Sequence, residues 1–118
     1  MKWITTIADE TERLMKTLTE MQEGVEAASR LLKSLANQDR LMILCHLAES
    51  ECNVSELEAL LQIRQPTLSQ QLARLRADHL VETRREGKEI FYRLASTEAG
   101  AVINLLHELF CASDDADT

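Results

Sequence analysis

Gln65, Thr67, Ser69, Gln70 and Arg74 fall in one stretch, R-Q-P-T-L-S-Q-Q-L-A-R-L-R over residues 64–76, and all can pair with nucleic acid. Gln pairs bidentately with adenine, Thr meets a thymine methyl, and Arg binds phosphate or guanine. Pro66, the chain's only proline, suits a first helical position, where its missing N–H would have no partner anyway. Wound as a helix from there, the stretch places Leu68, Leu72 and Leu75 on one side for a core. Thr67, Gln70 and Arg74 project from the other side, which Ala73 and Ala77 keep low, with no carboxylate before Asp78. Residue types alone fit an ordinary amphipathic surface helix equally well. The rest of the chain decides between the two.

A length of 118 residues fits one domain with a modest core, helped by oligomerisation. The net charge of −7 looks wrong for a DNA binder, so its distribution matters. Residues 64–93 carry seven basic side chains (Arg64, Arg74, Arg76, Arg84, Arg85, Lys88, Arg93) against four acids (Asp78, Glu82, Glu86, Glu89). A basic patch on an acidic body can neutralise a few phosphates while the body limits indiscriminate binding, so modest, salt-sensitive affinity is expected. Four aromatic residues argue against stacking on single-stranded bases. The longest apolar run, Leu41–Cys45, cannot span a bilayer, and the N-terminal residues lack a secretory apolar stretch. A cytoplasmic location with three reduced cysteines, and no membrane partner, is the expectation.

The elements that would hold the stretch follow in order. Residues 1–8 read as frayed, then Asp9 to about Ala36 as a helix with Leu14, Leu18, Met21, Val25, Ala28, Leu32 and Leu35 spaced by fours and threes. That is an a/d seam, the pattern of a dimer or of packing within one chain; Gly24 marks a kink or a break into two helices. Asn37 caps a second helix, about Asp39–Glu49, mostly buried, with Leu41, Leu44, Cys45 and Ala48 on its core side. Ser55 and Glu58 form a capping box for a third, Glu56–Leu61, whose core residues are Leu57, Leu60, Leu61 and Ile63. The turn I-R-Q-P then delivers the Arg64–Arg76 helix, making a helix-turn-helix. Beyond Leu80 the period drops to two: Val81–Arg84 and Glu89–Leu94 read as strands with Ile90, Tyr92 and Leu94 inward, joined by R-E-G-K with Gly87 supplying positive φ. His79 stands where a C-capping glycine is usual. Ser96 or Thr97 caps a last helix to about Cys111, apolar at Val102, Ile103, Leu105, Leu106, Leu109 and Phe110, before an acidic tail read as disordered. The fold class is mainly α with a small β-hairpin wing (α+β): a winged helix-turn-helix, α-α-α-α-β-β-α, in a single domain over 1–118. Residues 9–36 would form its dimerisation helix, and 54–94 its DNA-binding part. Arg85 and Lys88, at the wing tip, are placed for phosphate contact.

Residues from about Leu31 to Cys111 resemble the ArsR/SmtB family of dimeric bacterial winged-helix repressors. The resemblance rests on L-A-N-Q-D-R-L-M-I-L, Q-P-T-L-S-Q-Q-L-A-R-L-R, L-V-E-T-R-R-E-G-K-E-I-F-Y-R-L and the closing helix. It implies a homodimer joined through first and last helices, bound to an imperfect palindrome of double-stranded operator DNA and released by an inducer. The family's metal sensors use Cys-x-Cys at the start of the third helix or a D-x-H…H-x-x-E set on the last. Here Asn53 and Ser55 occupy the first positions, and His107 has no D-x-H before it, so both metal sites are missing. Three Cys and three His leave other metal arrangements open.

Cys45 and Cys111, 66 positions apart within L-M-I-L-C-H-L and L-L-H-E-L-F-C, look like the cysteine pair of the sulfide- and persulfide-responsive branch, the BigR/SqrR/YgaV-like repressors. HlyU-like regulators share much of the pattern. The branch implies that reactive sulfur species bridge the two cysteines by a disulfide or longer sulfur chain, and that the dimer then leaves its operator. Against this stands the ordinary fate of a free cysteine, burial in a core. On a helical wheel Cys111 lies opposite Val102, Leu106 and Leu109, off the apolar stripe. Cys52 matches no role in the branch and reads as incidental; His46 and His107 read as surface or satisfied histidines beside the thiols. There is no C-x-x-C and no Gly-rich loop, so neither an enzyme nor a cofactor is expected. The alternatives are a metal-responsive ArsR-type repressor, an HlyU-like redox-responsive virulence regulator, and an interaction module that binds no DNA.

Overall fold

Polar caps set where the helices begin. The structure, a computed structural model, describes residues 2–111, with side chains from Asp9 onward. The expectations for residues 1–8 and for the acidic tail 112–118 lie outside what is so described. The chain forms two units, Met1–Lys33 and Ser34–Thr118.

The first unit is helix α1 (Lys2–Leu35), which runs on into the first two residues of the second unit. It continues without a break through Gly24, so the expected division into two helices does not occur; one glycine costs a helix only about 1 kcal/mol against alanine. Its seam is exposed on this chain at Leu14, Leu18, Met21, Val25 and Leu32.

In the second unit, Asn37 caps α2 (Gln38–Leu47), its side chain accepting from the Arg40 N–H at 3.0 Å. The buried face of α2 is Ile43, Leu44 and Leu47. Leu41 is half-buried, and Cys45 and Ala48 are exposed, so the expected core side is corrected by a rotation of the helix about its axis. The capping box of α3 (Val54–Leu61) also shifts. Asn53 accepts from Glu56 N–H at 2.8 Å and Glu56 returns the bond to Asn53 N–H at 3.0 Å, in place of Ser55 and Glu58. Starting earlier turns Leu60 out to 58% exposure while Leu57 is fully buried.

Gln62 takes a left-handed φ of 57° to end α3, and α4 (Gln65–Ala77) follows after two residues. Leu68, Leu72 and Leu75 of α4 are all buried, as their spacing predicts. His79 ends α4 with φ of 61°: its N–H donates to Arg76 O and Leu80 N–H donates to Leu75 O, both at 3.0 Å, with Leu75 and Leu80 buried together. This is a Schellman closure made without glycine.

The wing is a three-stranded antiparallel sheet of order β1-β3-β2, made of β1 (Cys52–Asn53), β2 (Val81–Glu86) and β3 (Glu89–Leu94). β1 is an addition to the expected element order; two residues carry no readable period, and only pairing with Tyr92 and Phe91 makes them a strand. β2 is longer than expected, because Arg85 and Glu86 pair with Ile90 and Glu89. The turn is therefore Gly87–Lys88 alone, with Gly87 at φ 63°, the primed geometry that matches strand twist. The inward alternation holds only at its base, since Tyr92 and Leu94 are half-buried but Ile90 near the tip is exposed. Ser96 caps α5 (Thr97–Phe110), accepting from Ala99 N–H at 3.0 Å. Ala99 and Ile103 face the core, while Leu105, Leu109 and Phe110 are exposed, so the expected six-residue apolar face is only partly covered. Among the described residues no helix is long and apolar enough to cross a membrane.

Candidate nucleic-acid interface and thiol cleft

The helix-turn-helix of α3 and α4 presents Gln65, Ser69, Gln70 and Arg74 to solvent, with Thr67 half-buried. Arg85 and Lys88 are exposed on the neighbouring wing. All seven contact residues assigned from sequence thus lie in one part of the fold, α4 and the wing that follows it.

The cations of this region are not equivalent. Arg74 Nε bonds Asp78 Oδ2 at 2.9 Å, one turn along α4. Arg84 is held by Glu51 at 2.5 Å and Glu86 at 2.8 Å and lies over the Phe91 ring, 4.7 Å from its centroid. The hydrogen bonds it donates to Glu86 and then Glu51 raise its pKa further above an already high value. Arg93 pairs with Glu82. Arg64, Arg76, Arg85 and Lys88 make no ion pair among the described residues, so they are the cations open to phosphate. The count of basic side chains alone could not have separated these classes, because strand register sets Arg93 opposite Glu82, and Arg84 reaches Glu51 across 33 positions.

Reasoning from sequence missed the network behind the recognition helix. Ser34, almost wholly buried, donates to Asp78 Oδ2, the oxygen that also receives Arg74. Arg40 on α2 donates to Ser34 O at 2.7 Å and to Gln71 Oε1 in mid-α4 at 2.9 Å. The Ser34 hydroxyl, with help from Arg74 and Arg40, holds the Asp78 carboxyl below its ordinary value, although partial burial opposes the shift. Asp78 ends the recognition helix, and that position could have drawn attention to it.

The second feature is a cleft of about 720 Å³ between α2 and α5. Its walls are largely apolar, with Leu41, Met42, Ile103, Leu106 and Phe110, and it is lined by both Cys45 and Cys111. Cys45 is therefore not a core residue, and Cys111 shares a wall with Leu106 instead of pointing away from it. Burial pushes the Cys45 thiol above its ordinary value, and negative charge at Cys111 and then Glu49 pushes it the same way. Both thiols therefore border the same space. His46 and His107 also line the cleft. Cys52 is buried elsewhere, in β1, with its sulfur 3.9 Å from Ser50 Oγ. Among the described residues no group of three or more His, Cys, Asp or Glu is placed to hold a metal ion.

A helix presented after a tight turn, with a twisted hairpin beside it, defines a winged helix-turn-helix regulator. The family model for the bacterial regulatory proteins of the arsR family matches residues 37–83. The biofilm growth-associated repressor of Agrobacterium fabrum is 51% identical over 98 residues, 83% of this chain and 84% of that protein. The transcriptional activator HlyU of Vibrio cholerae is 48% identical over 97 residues, 82% of this chain and 90% of that one. The structure of reduced HlyU superposes with a TM-score of 0.75 at 50% identity, covering 78% of this chain and 97% of the other. A homodimeric winged helix-turn-helix domain from Mycobacterium bovis gives 0.68 at 29% identity, covering 81% and 89%. The chain belongs to the arsR family, and it is accordingly a DNA-binding transcriptional regulator; such regulators are not enzymes.

The Asp78 lock has a pH signature. A carboxyl whose folded pKa is depressed contributes stability above the unfolded value, here 3.8, and that stability is lost as pH falls through the folded value. Asp78→Asn should lower unfolding free energy by about 1 kcal/mol at pH 7, the site being partly exposed. In urea titrations the gap between wild type and variant should close as pH falls below 3.8; a gap independent of pH would show that the carboxylate charge contributes nothing.

Proposed function

We propose that this regulator is a homodimeric repressor whose operator affinity falls when reactive sulfur bridges Cys45 and Cys111. The observation that carries the reading is that these two thiols, 66 positions apart, line one cleft. A persulfide supplies the oxidant. One thiolate takes the outer, sulfane sulfur of R–S–SH and releases RSH. The second thiolate attacks the protein sulfur of the new Cys–S–SH and expels its outer sulfur as hydrogen sulfide, leaving the disulfide; a further persulfide extends the bridge to a longer chain. The raised pKa of Cys45 suits it to the second step, inside the cleft, where the local concentration of the partner is high.

DNA recognition is assigned to Gln65, Thr67, Ser69, Gln70 and Arg74 in the major groove and to Arg85 and Lys88 on the flanking backbone. The two recognition helices of a dimer would meet half-sites of an imperfect palindrome about 34–36 Å apart. Dimerisation is supported by the apolar residues that α1 and α5 leave exposed, among them Leu18, Val25, Leu105 and Leu109. The kinship with HlyU favours a second reading, a redox regulator of the HlyU type that answers other oxidants and activates its target.

Non-reducing peptide mass spectrometry and operator gel shifts on the same persulfide-treated samples test the reading. A Cys45–Cys111 di- or polysulfide should appear in step with loss of the DNA complex, and Cys45→Ser and Cys111→Ser should each stay bound. Release by peroxide but not persulfide would favour the HlyU-type reading. Unbridged cysteines with release by stoichiometric Zn²⁺ or Cu⁺ would replace both with metal response. On the DNA side, Lys88→Ala removes one phosphate contact from each protomer and should flatten the plot of log affinity against log salt by about two for the dimer, equally for all sequences. An unchanged slope would remove Lys88 from the interface. Val25→Glu, at a position 63% exposed on this chain, should leave the fold intact but give a monomer by sedimentation, with operator binding lost. A variant that remains dimeric would overturn the role of α1.

A further inference from the structure

The cleft that holds the two thiols has a charge pattern of its own. Of its walls only Glu49 bears a full charge, and it is negative; among the described residues no Lys or Arg lines it. His46 and His107 bring imidazoles. In sequence, Cys111 is followed within six residues by Asp114, Asp115 and Asp117, and the whole chain carries −7. The remaining surface is mostly hydrocarbon, from Leu41, Met42, Ile103, Leu106 and Phe110. An anion entering here meets no Lys or Arg, sheds part of its hydration against apolar walls, and meets a carboxylate four residues on from Cys45. An uncharged molecule escapes all three penalties.

We propose that the cleft is a selective site for small, uncharged and largely apolar sulfane-sulfur donors, and that Glu49 is the residue that discriminates against anionic ones. The inference rests on the dithiol reading above and names its inducer class. A neutral organic trisulfide shows the chemistry. A cysteine thiolate attacks the central sulfur of R–S–S–S–R and expels one RS⁻, which takes up a proton. The second cysteine attacks the same sulfur and expels the other RS⁻. Two thiols and one trisulfide thereby become Cys–S–S–S–Cys and two RSH; the protein sulfurs are oxidised and the trisulfide is reduced by two electrons. Low-molecular-weight persulfides that carry carboxylates undergo the same exchange but reach the thiols more slowly.

The experiment uses three trisulfides of similar size on the reduced, full-length protein. They are the neutral one derived from mercaptoethanol, the dianionic one from mercaptopropionate and the dicationic one from cysteamine. Bridging rates are followed by mass spectrometry and each is divided by the rate of the same trisulfide with a free model thiol. The neutral compound should exceed the dianion by about three- to tenfold at low ionic strength, as one like charge at close range in a wet site implies. The ratio should fall toward one at molar salt, where screening reaches only about 3 Å. Glu49→Gln, at an exposed position, should shrink the ratio at low salt; a general rise in thiolate content would speed all three alike and leave the ratio unchanged. Equal normalised rates, with Cys45–Cys111 bridging intact, would overturn the selectivity and leave the dithiol sensor standing. A salt-sensitive ratio untouched by Glu49→Gln would assign the discrimination to the overall charge and overturn the role of Glu49. No bridge with any donor would overturn the sensor reading itself.

Discussion

A single buried hydroxyl does much to fix the DNA-binding surface. Ser34 is the buried polar side chain of the described core, and no buried side-chain oxygen or nitrogen there lacks a partner. Its bond goes to Asp78, the residue that closes the recognition helix. The same carboxylate holds Arg74 on the helix's outer side, and the backbone carbonyl of Ser34 receives Arg40, whose other arm grips Gln71. Apolar packing of Leu68, Leu72 and Leu75 decides that α4 is buried on one side but is tolerant of rotation by a few degrees. The directional bonds are not tolerant. They anchor the middle and the end of α4, and a groove-reading helix needs that angular definition, because a bidentate contact to a base edge is lost within a fraction of an ångström.

The same carboxylate changes how Arg74 must be viewed. In the free protein its Nε is bonded to Asp78, which fixes the direction of the guanidinium and leaves its two NH₂ groups to face solvent. Arg84 and Arg93 are similarly spoken for, which leaves Arg64, Arg76, Arg85 and Lys88 as uncommitted charge. If the proposed interface is the one that meets DNA, about four uncommitted cations per chain are available to phosphate, on a protein of net charge −7. A surface of that kind would attract DNA of any sequence only weakly, and base-edge contacts would have to supply the rest of the affinity.

Much of this was legible in the residues. Pro66 and the Leu68–Leu72–Leu75 stripe define α4 because both signals are local, and the change of period after Leu80 marks the wing for the same reason. Where several local signals compete, the residues mislead. Asn53 and Ser55 can each cap α3, and the choice falls to Asn53 because Cys52 and Asn53 also pair with β3. On α2 nearly every side chain is apolar, so periodicity cannot fix which face is inward, and Cys45, expected in the core, lies on the cleft. The two cysteines as a pair come only through family resemblance; nothing in residue spacing brings α2 and α5 together. The Ser34–Asp78 and Arg40–Gln71 bonds, spanning 44 and 31 positions, are likewise out of reach, since long-range polar pairs leave no pattern in a chain read from one end.

α2 belongs to both regions at once. Its first turn carries Arg40, which holds the recognition helix, and its last turns carry Cys45, which faces α5 across the cleft. The helix is only ten residues long, with Ile43, Leu44 and Leu47 packed in the core between the two, so it has little freedom to bend. On the proposed reading, a bridge that shifted Cys45 would reach Arg40 through this one short helix. The energies are of matching size. A tenfold loss of operator affinity requires about 1.4 kcal/mol between binding and non-binding geometries, and a hydrogen bond such as Arg40–Gln71 contributes about 1 to 3 kcal/mol when one partner is charged. On the proposed reading, loosening Arg40's hold on α4 by that amount would change occupancy of a DNA site without unfolding anything, which is what a reversible regulator demands of its fold.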